Sequence, residues 1–306
     1  MRRAVVDVGS NSVLLLVSQE SEGGWKPVLE TTEVTALGEG TKQTGLLNER
    51  AISDTLAALR RAHQAATEAG AAEVWAAVTM AGRIARNSDE LLTRAEKQGT
   101  PLRILSGDEE ARLGFLAVAE DPVYAQEGRL SVVDVGGHST EVVCAQRDES
   151  GWKVEFRVSF PVGTLGLMSA MRNPETPRGE DLLTATVELD KLLDIAEPQG
   201  GFGCVVALGA TPTNLITIRE RMQKWQPEKV HGQYLDYEEV GRAVGWLCGM
   251  TNEQRKAVRG METGREKTLH IGALILERAL HRLHAEGCRV SVRGWRHALL
   301  AHGFNS

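Results

Sequence analysis

Six residues near the start of the chain, Asp7-Val8-Gly9-Ser10-Asn11-Ser12, return far downstream as Asp134-Val135-Gly136-Gly137-His138-Ser139. Asp, Val, Gly and Ser recur at matching places, each time after one apolar run and before another. Glycine tolerates positive φ and puts no side chain between backbone and ligand, so successive N–H groups in such a turn can converge on an anion. Ser10, Ser12, Ser139 and Thr140 add hydroxyl donors. Asp7 and Asp134 stand at the roots of the turns, and as anions they suit a hard cation such as Mg²⁺, which would bridge to phosphate oxygens. Two such hairpins facing each other across a cleft would clamp one phosphate chain from both sides. The plainer alternative is a pair of unrelated hairpins with ordinary glycine turns. Neither the Gly-x-x-x-x-Gly-Lys-Ser/Thr phosphate loop nor the dinucleotide Gly-x-Gly-x-x-Gly pattern occurs, which weakens the common nucleotide-binding readings.

Two helix starts carry further chemistry. In Ser106-Gly107-Asp108-Glu109-Glu110-Ala111-Arg112, Ser106 and Glu109 have the spacing of a capping box. Glu110 is turned about 100° from Glu109 and is free of that duty. It can accept a proton from water held near a phosphate, although on spacing alone a solvated surface glutamate is the commoner case. Arg83 and Arg86 follow an apolar run and stand three apart, able to share a helix face. They read equally well as bidentate phosphate donors or as solvated charges. His281 and His284 also stand three apart, but with no third ligand nearby they read as a solvated helix face.

The elements that position these residues alternate between strand and helix patterns. Strands are expected at 3–8, 13–18, 26–35, 74–78 and 102–105, with helices at 48–69, 89–98 and 108–119. Periodicity stops over Asp121-Pro122 to Gly128 and then restarts, dividing the chain into domains 1–122 and 123–306. The second half suggests strands at 130–133, 140–145, 153–158, 205–208 and 288–292, and helices at 180–195, 236–250 and 267–285. A last helix at about 295–306 is free to pack back on the first domain. The 306 residues suffice for two ordinary cores, and the formal net charge of -6 disfavours nonspecific nucleic-acid binding. An anionic substrate must then meet a local basic patch. Asp7 interrupts the first apolar run, so no signal peptide is expected, and no stretch approaches a membrane span. Cys144, Cys204, Cys248 and Cys288 lie far apart and read as reduced thiols of a cytoplasmic protein.

Taken together, these residues resemble the exopolyphosphatase / guanosine pentaphosphate phosphatase (Ppx/GppA) family, over nearly the whole chain. Asp7 to Ser12 looks like the family's first phosphate loop and Asp134 to Glu141 like its second. Thr79, Arg83 and Asn87 fit its Thr-x-x-x-Arg-x-x-x-Asn segment, and Ser106 to Leu113 its Ser-Gly-x-Glu-Glu-Ala-Arg stretch. Ala207 to Thr211 resembles a later Gly-Gly-Thr turn, and Arg293-Gly294-Trp295-Arg296 the C-terminal Arg-Gly-Leu-Arg. The resemblance implies an α/β, actin-like (ribonuclease H-like) duplicated two-domain fold with an interdomain active-site cleft. By that resemblance the short form is expected, the one that ends where longer members continue into a helical domain. It implies release of terminal orthophosphate from polyphosphate, or conversion of pppGpp to ppGpp, with Mg²⁺. By the same resemblance Glu110 is the general base, while Asp7, Asp134 and Glu141 organise the metal. Phosphate contacts fall to Gly9, Ser10, Asn11, Ser12, Arg83, Arg86, Gly136, Gly137, His138, Ser139, Thr140, Gly209 and Thr211. Four positions depart from the pattern: Ala36 for arginine, His138 for a third loop glycine, Ala210 for the second glycine of the later turn, and Lys267 for an acidic residue. They keep open a non-catalytic sensor of polyphosphate or (p)ppGpp, and behind it an actin-like small-molecule kinase. Monomer and homodimer both remain open.

Overall fold

The repeated motif lies in a repeated sheet. The computed structural model describes residues 1–22 and 24–304, so the last two positions of the expected 295–306 segment lie outside it. The chain forms two compact units, one of Met1–Leu113 with the segment from Trp295 on, the other of Gly114–Gly294.

The first unit carries strands β1 (Arg2–Val8), β2 (Ser12–Ser21), β3 (Gly24–Val34), β4 (Glu73–Val78) and β5 (Arg103–Ile104), in the order β3-β2-β1-β4-β5. β1 to β3 form an antiparallel meander, and β4 and β5 run parallel to β1. The β-branched, apolar run of β1 is buried on both faces, as a central strand requires. The helix Glu49–Glu68 starts at Asn48, whose side chain accepts from Arg50 N–H at 2.9 Å. It buries Ile52, Leu56, Leu59, Ala62 and Ala66 in one core with β1 and β2. The C-terminal helix Trp295–His302 completes this unit. Arg3 donates to the Leu300 carbonyl at 3.3 Å, and its guanidinium lies 5.1 and 5.2 Å from the ring centres of Trp25 and Trp75.

The second unit carries β6 (Arg129–Val135), β7 (Thr140–Asp148), β8 (Gly151–Phe160), β9 (Cys204–Leu208), β10 (Tyr234–Asp236) and β11 (Gly287–Val290), ordered β10-β11-β9-β6-β7-β8. Apart from the edge strand β10, the path β8-β7-β6-β9-β11 repeats β3-β2-β1-β4-β5. The register repeats too. Asp7 pairs with Leu14 and Ala77, and Asp134 with Glu141 and Leu208. Even the bulge in the outer pair recurs, between Val17 and Ser18 and between Cys144 and Ala145, at the same distance past the loop serine. This is the actin-like (ribonuclease H-like) duplicated α/β fold.

The main strands and long helices stand where periodicity puts them. The helix Ala210–Arg219, β10 and the short helices Thr41–Thr44, Thr164–Met168 and Asn252–Lys256 add to that reading. Ala210–Arg219 hides in the sequence because it holds Pro212 and three threonines. Proline in a first turn removes only an N–H that has no helical partner, and seven buried positions supply what propensity lacks.

Candidate active site

Both glycine turns close with the same hydrogen bond: Gly9 N–H to Ser12 O and Gly136 N–H to Ser139 O, each 2.9 Å. Each turn follows the C-terminal end of the central parallel strand of its sheet, where α/β folds bind ligands. In the first, the Ser10 carbonyl accepts from Gly38 N–H at 2.8 Å and the Asn11 carbonyl from Thr35 and Ala36 N–H, both at 3.0 Å. A trans peptide points its C=O and N–H in opposite directions. The N–H groups of Asn11 and Ser12 therefore point away from the 35–38 segment. Ala36, where an arginine was expected, has φ 51°, a left-handed conformation that strains an L residue. The Ser10 and Ser12 side chains are buried, so the backbone carries the donor capacity of this loop.

The second turn is backed differently but to the same effect. The helix Thr164–Met168 presents its first N–H groups to the loop: Thr164 to Gly136 O at 3.0 Å, Leu165 and Gly166 to Gly137 O at 2.7 and 3.3 Å. The N–H groups of Gly137 and His138 thus point away from that helix. Contact here is so close that a Cβ on Gly163 would stand 2.5 Å from Gly137 C and His138 N. His138 itself is only 2% exposed, so its ring belongs to the interior. Thr140 is fully buried and gives its hydroxyl to the Val162 carbonyl at 2.7 Å.

Asp134 and Glu141 are register partners on adjacent antiparallel strands, so they share one sheet face. The Ser159 hydroxyl donates to Glu141 Oε1 at 2.6 Å and orients that carboxylate. A Cβ on Gly209 would stand 2.9 Å from Asp134 Oδ1, so glycine leaves the room this carboxylate needs. Gly209 also has φ 84° and opens the helix Ala210–Arg219. Ala210 is already helical, which explains why a second glycine is dispensable there. The Thr211 side chain packs on Gly272, leaving its backbone N–H in the first helical turn. Among the described residues no three His, Cys, Asp or Glu side chains gather to hold a metal. Two hard carboxylates with water and phosphate oxygens nonetheless make a fitting set for Mg²⁺, which dehydrates reluctantly and takes few protein ligands.

Glu109 and Glu110 divide as their spacing requires. Glu109 accepts from Ser106 N–H at 3.0 Å while its own N–H donates to Ser106 Oγ at 3.1 Å, a complete capping box, and Arg103 pairs with its carboxylate. Glu110 points elsewhere, largely buried, with Oε2 2.7 Å from Arg83 Nη1. Burial pushes its carboxyl above the usual range, against the pull of Arg83. The helix Met80–Ile84 stops before Arg86, which is exposed and donates to the Thr44 carbonyl at 3.1 Å. Arg83 and Arg86 therefore do not share a helix face. Asn87 bridges to Leu47 through both its amide groups.

In the first unit the structure thus gathers Arg83 with Glu110, and in the second Asp134 with Glu141 and Gly209. The supports Gly163 and Ser159 had not been singled out from sequence. The Gly163-Thr164-Leu165-Gly166 pattern after a predicted strand was the available signal for the first.

Comparison with known proteins identifies the family and the fold. The Ppx/GppA phosphatase family pattern matches residues 16–304. Exopolyphosphatase 1 of Mycobacterium tuberculosis is 28% identical over 100% of this chain and 89% of its own length. Exopolyphosphatase 2 of the same species is 26% identical over 90% of this chain and 89% of its own. The crystal structure of the Aquifex aeolicus member of the Ppx/GppA family superposes with a TM-score of 0.81 at 31% identity, covering 98% of this chain and 96% of that one. An exopolyphosphatase structure from Cytophaga hutchinsonii, at 21% identity and with the same coverage, shares the fold with a TM-score of 0.87.

Proposed function

The chain belongs to the Ppx/GppA phosphatase family, and on that premise we propose that it releases terminal orthophosphate from inorganic polyphosphate, from pppGpp or from both. The observation that carries this reading is the repeated loop, with the same Gly-to-Ser hydrogen bond and outward N–H groups in both units. Such arrays suit a polyanion whatever its terminal group.

Phosphoryl transfer asks a protein mainly for positioning and charge neutralisation. The N–H groups of Asn11 and Ser12, and of Gly137 and His138, take phosphate oxygens. Gly209 and the N–H of Thr211 add the positive end of a helix of ten residues. Asp134 and Glu141 would hold a divalent cation, which when bound neutralises phosphate charge. Glu110 accepts a proton from the water that attacks the terminal phosphorus in line, and the shortened chain leaves on its bridging oxygen. A carboxyl lifted by burial is better matched to that task than an exposed one.

The test is phosphate release with Mg²⁺ from long-chain polyphosphate, tripolyphosphate and pppGpp, by wild type and Glu110→Gln. The variant is expected to lose roughly 10²–10⁴ in kcat while still binding substrate. Unchanged turnover would remove Glu110 from the mechanism. Tight binding without turnover by the wild type would make the protein a sensor.

A further inference from the structure

Arg83 rises from a fixed base. Its helix, Met80–Ile84, lies so close to β4 that a Cβ on Gly82 would stand 2.8 Å from Val78 Cγ1. The Thr79 N–H preceding it donates to Val8 O at 3.1 Å. At its other end the guanidinium also meets fixed groups. Nη1 donates to the Leu105 carbonyl and to Glu110 Oε2, both at 2.7 Å, and Nη2 rests 3.5 Å from Met80 Sδ. Only 16% of the Arg83 side chain and 12% of the Glu110 side chain are exposed. The Leu105 N–H is in turn bound to Val78 O at 2.9 Å, so the arginine ties the ends of β4 and β5 to the first turn of the helix Gly107–Ala119.

We propose that Arg83 is a positioning residue for Glu110, aiming its carboxylate by clamping it beside the Leu105 carbonyl. This rests on the reading of Glu110 as the base. The charged surroundings make Arg83 the group to do it. On the same helix Glu109 is spent on Ser106 and Arg103, and Asp108 and Arg112 flank Glu110 in sequence. From β5 the only charged side chain is that same Arg103, and Arg86 lies past the end of the Arg83 helix on the Thr44 carbonyl. Burial acts to protonate Glu110 and Arg83 acts against it, through both charge and hydrogen bond. A guanidinium engaged on two fixed acceptors is also poorly placed to swing onto substrate, which separates this role from direct phosphate binding.

The experiment compares wild type, Arg83→Gln, Arg83→Lys and Glu110→Gln, by kcat and KM against pH on polyphosphate and by ¹³C NMR titration of the glutamate carboxyls, with Glu110→Gln assigning the signal. In Arg83→Gln the Glu110 carboxyl is expected to titrate roughly one to three units higher. The acidic limb of kcat should move with it while KM changes by less than about threefold. Arg83→Lys keeps the charge but not the planar fork, so the limb should stay in place while kcat falls about tenfold. A raised KM with the Glu110 titration unmoved would overturn the proposal and make Arg83 a phosphate ligand. Wild-type kcat in Arg83→Lys would overturn the aiming role. Failure of the base reading shows separately, as turnover surviving in Glu110→Gln whatever the NMR titration does.

Discussion

Two buried polar side chains show how much of this molecule depends on carbonyls that meet them in the interior. Arg255 is fully buried, yet its guanidinium donates to the carbonyls of Glu175, Leu247 and Met250 at 3.0, 2.8 and 2.7 Å. His270, equally buried, meets the neighbouring Pro174 carbonyl through Nε2 at 2.7 Å. Nε2 must therefore carry the proton, leaving Nδ1 as the site of any second one, and Nδ1 has no hydrogen-bond partner. Burial accordingly holds the imidazole down at about 4, against 6.5 for a free ring. The unfolded chain binds the extra proton first, so stability is full above pH 6.5 and is lost as pH falls toward 4. The gap corresponds to about 3 kcal/mol. Urea melts at pH 7 and pH 4 should show that loss in wild type and much less of it in His270→Gln, which can still donate to Pro174. Parallel losses in the two proteins would clear His270. Neither residue declares itself in sequence, because arginine and histidine ordinarily face water. Their burial depends on carbonyls brought in from other elements. Glu110 is a middle case: the capping box commits Glu109 and frees the next glutamate, but spacing alone favoured a surface residue, and the family resemblance was needed to single it out.

At the level of elements, the two loops reach one geometry by different supports. The first is backed by the turn at 35–38 and the second by the start of the helix Thr164–Met168. Gly163 is where the second arrangement is most exposed to test. Its φ of -154° is ordinary extended backbone, so alanine there would be unstrained in itself. The obstacle is purely steric, a methyl 2.5 Å from the loop backbone. Gly163→Ala should therefore push the helix off the loop, costing about 1–3 kcal/mol of stability as overpacking does. If the second loop binds phosphate, KM for polyphosphate should rise at least roughly tenfold, since each N–H depends on its carbonyl being held. Gly128→Ala, where an added Cβ meets nothing within 4 Å, is the control. Wild-type KM in Gly163→Ala would detach this helix from substrate binding. The loop itself was legible because its residues repeat. Its support was not, because the partner lies more than twenty residues on and no repeat marks it.

For the molecule as a whole, duplication was the most legible feature, since a strand-turn-strand motif that recurs must sit in equivalent sheets. At the same scale, the first unit is not a continuous stretch of chain. Its sheet begins at Arg2 but its packing is finished by the helix Trp295–His302. That helix buries Trp295, Ala298, Leu299 and Leu300 in this unit. The guanidinium of Arg3 lies over Trp25 and Trp75, Trp75 meets Phe304 at 6.2 Å, and Arg103 lies 4.8 Å from the Phe304 ring centre. A defect at the C-terminus should consequently be felt by the N-terminal strands. Leu299→Ala removes a fully buried side chain and should cost about 2–5 kcal/mol. Hydrogen exchange locates the cost. Amides of β1 and β4 should lose protection by that amount, while those of β6 and β9 exchange as in wild type if the units open independently. Equal loss in all four strands would mean that the two units unfold as one. Loss confined to the last helix, with β1 unchanged, would show that the N-terminal sheet stands without it.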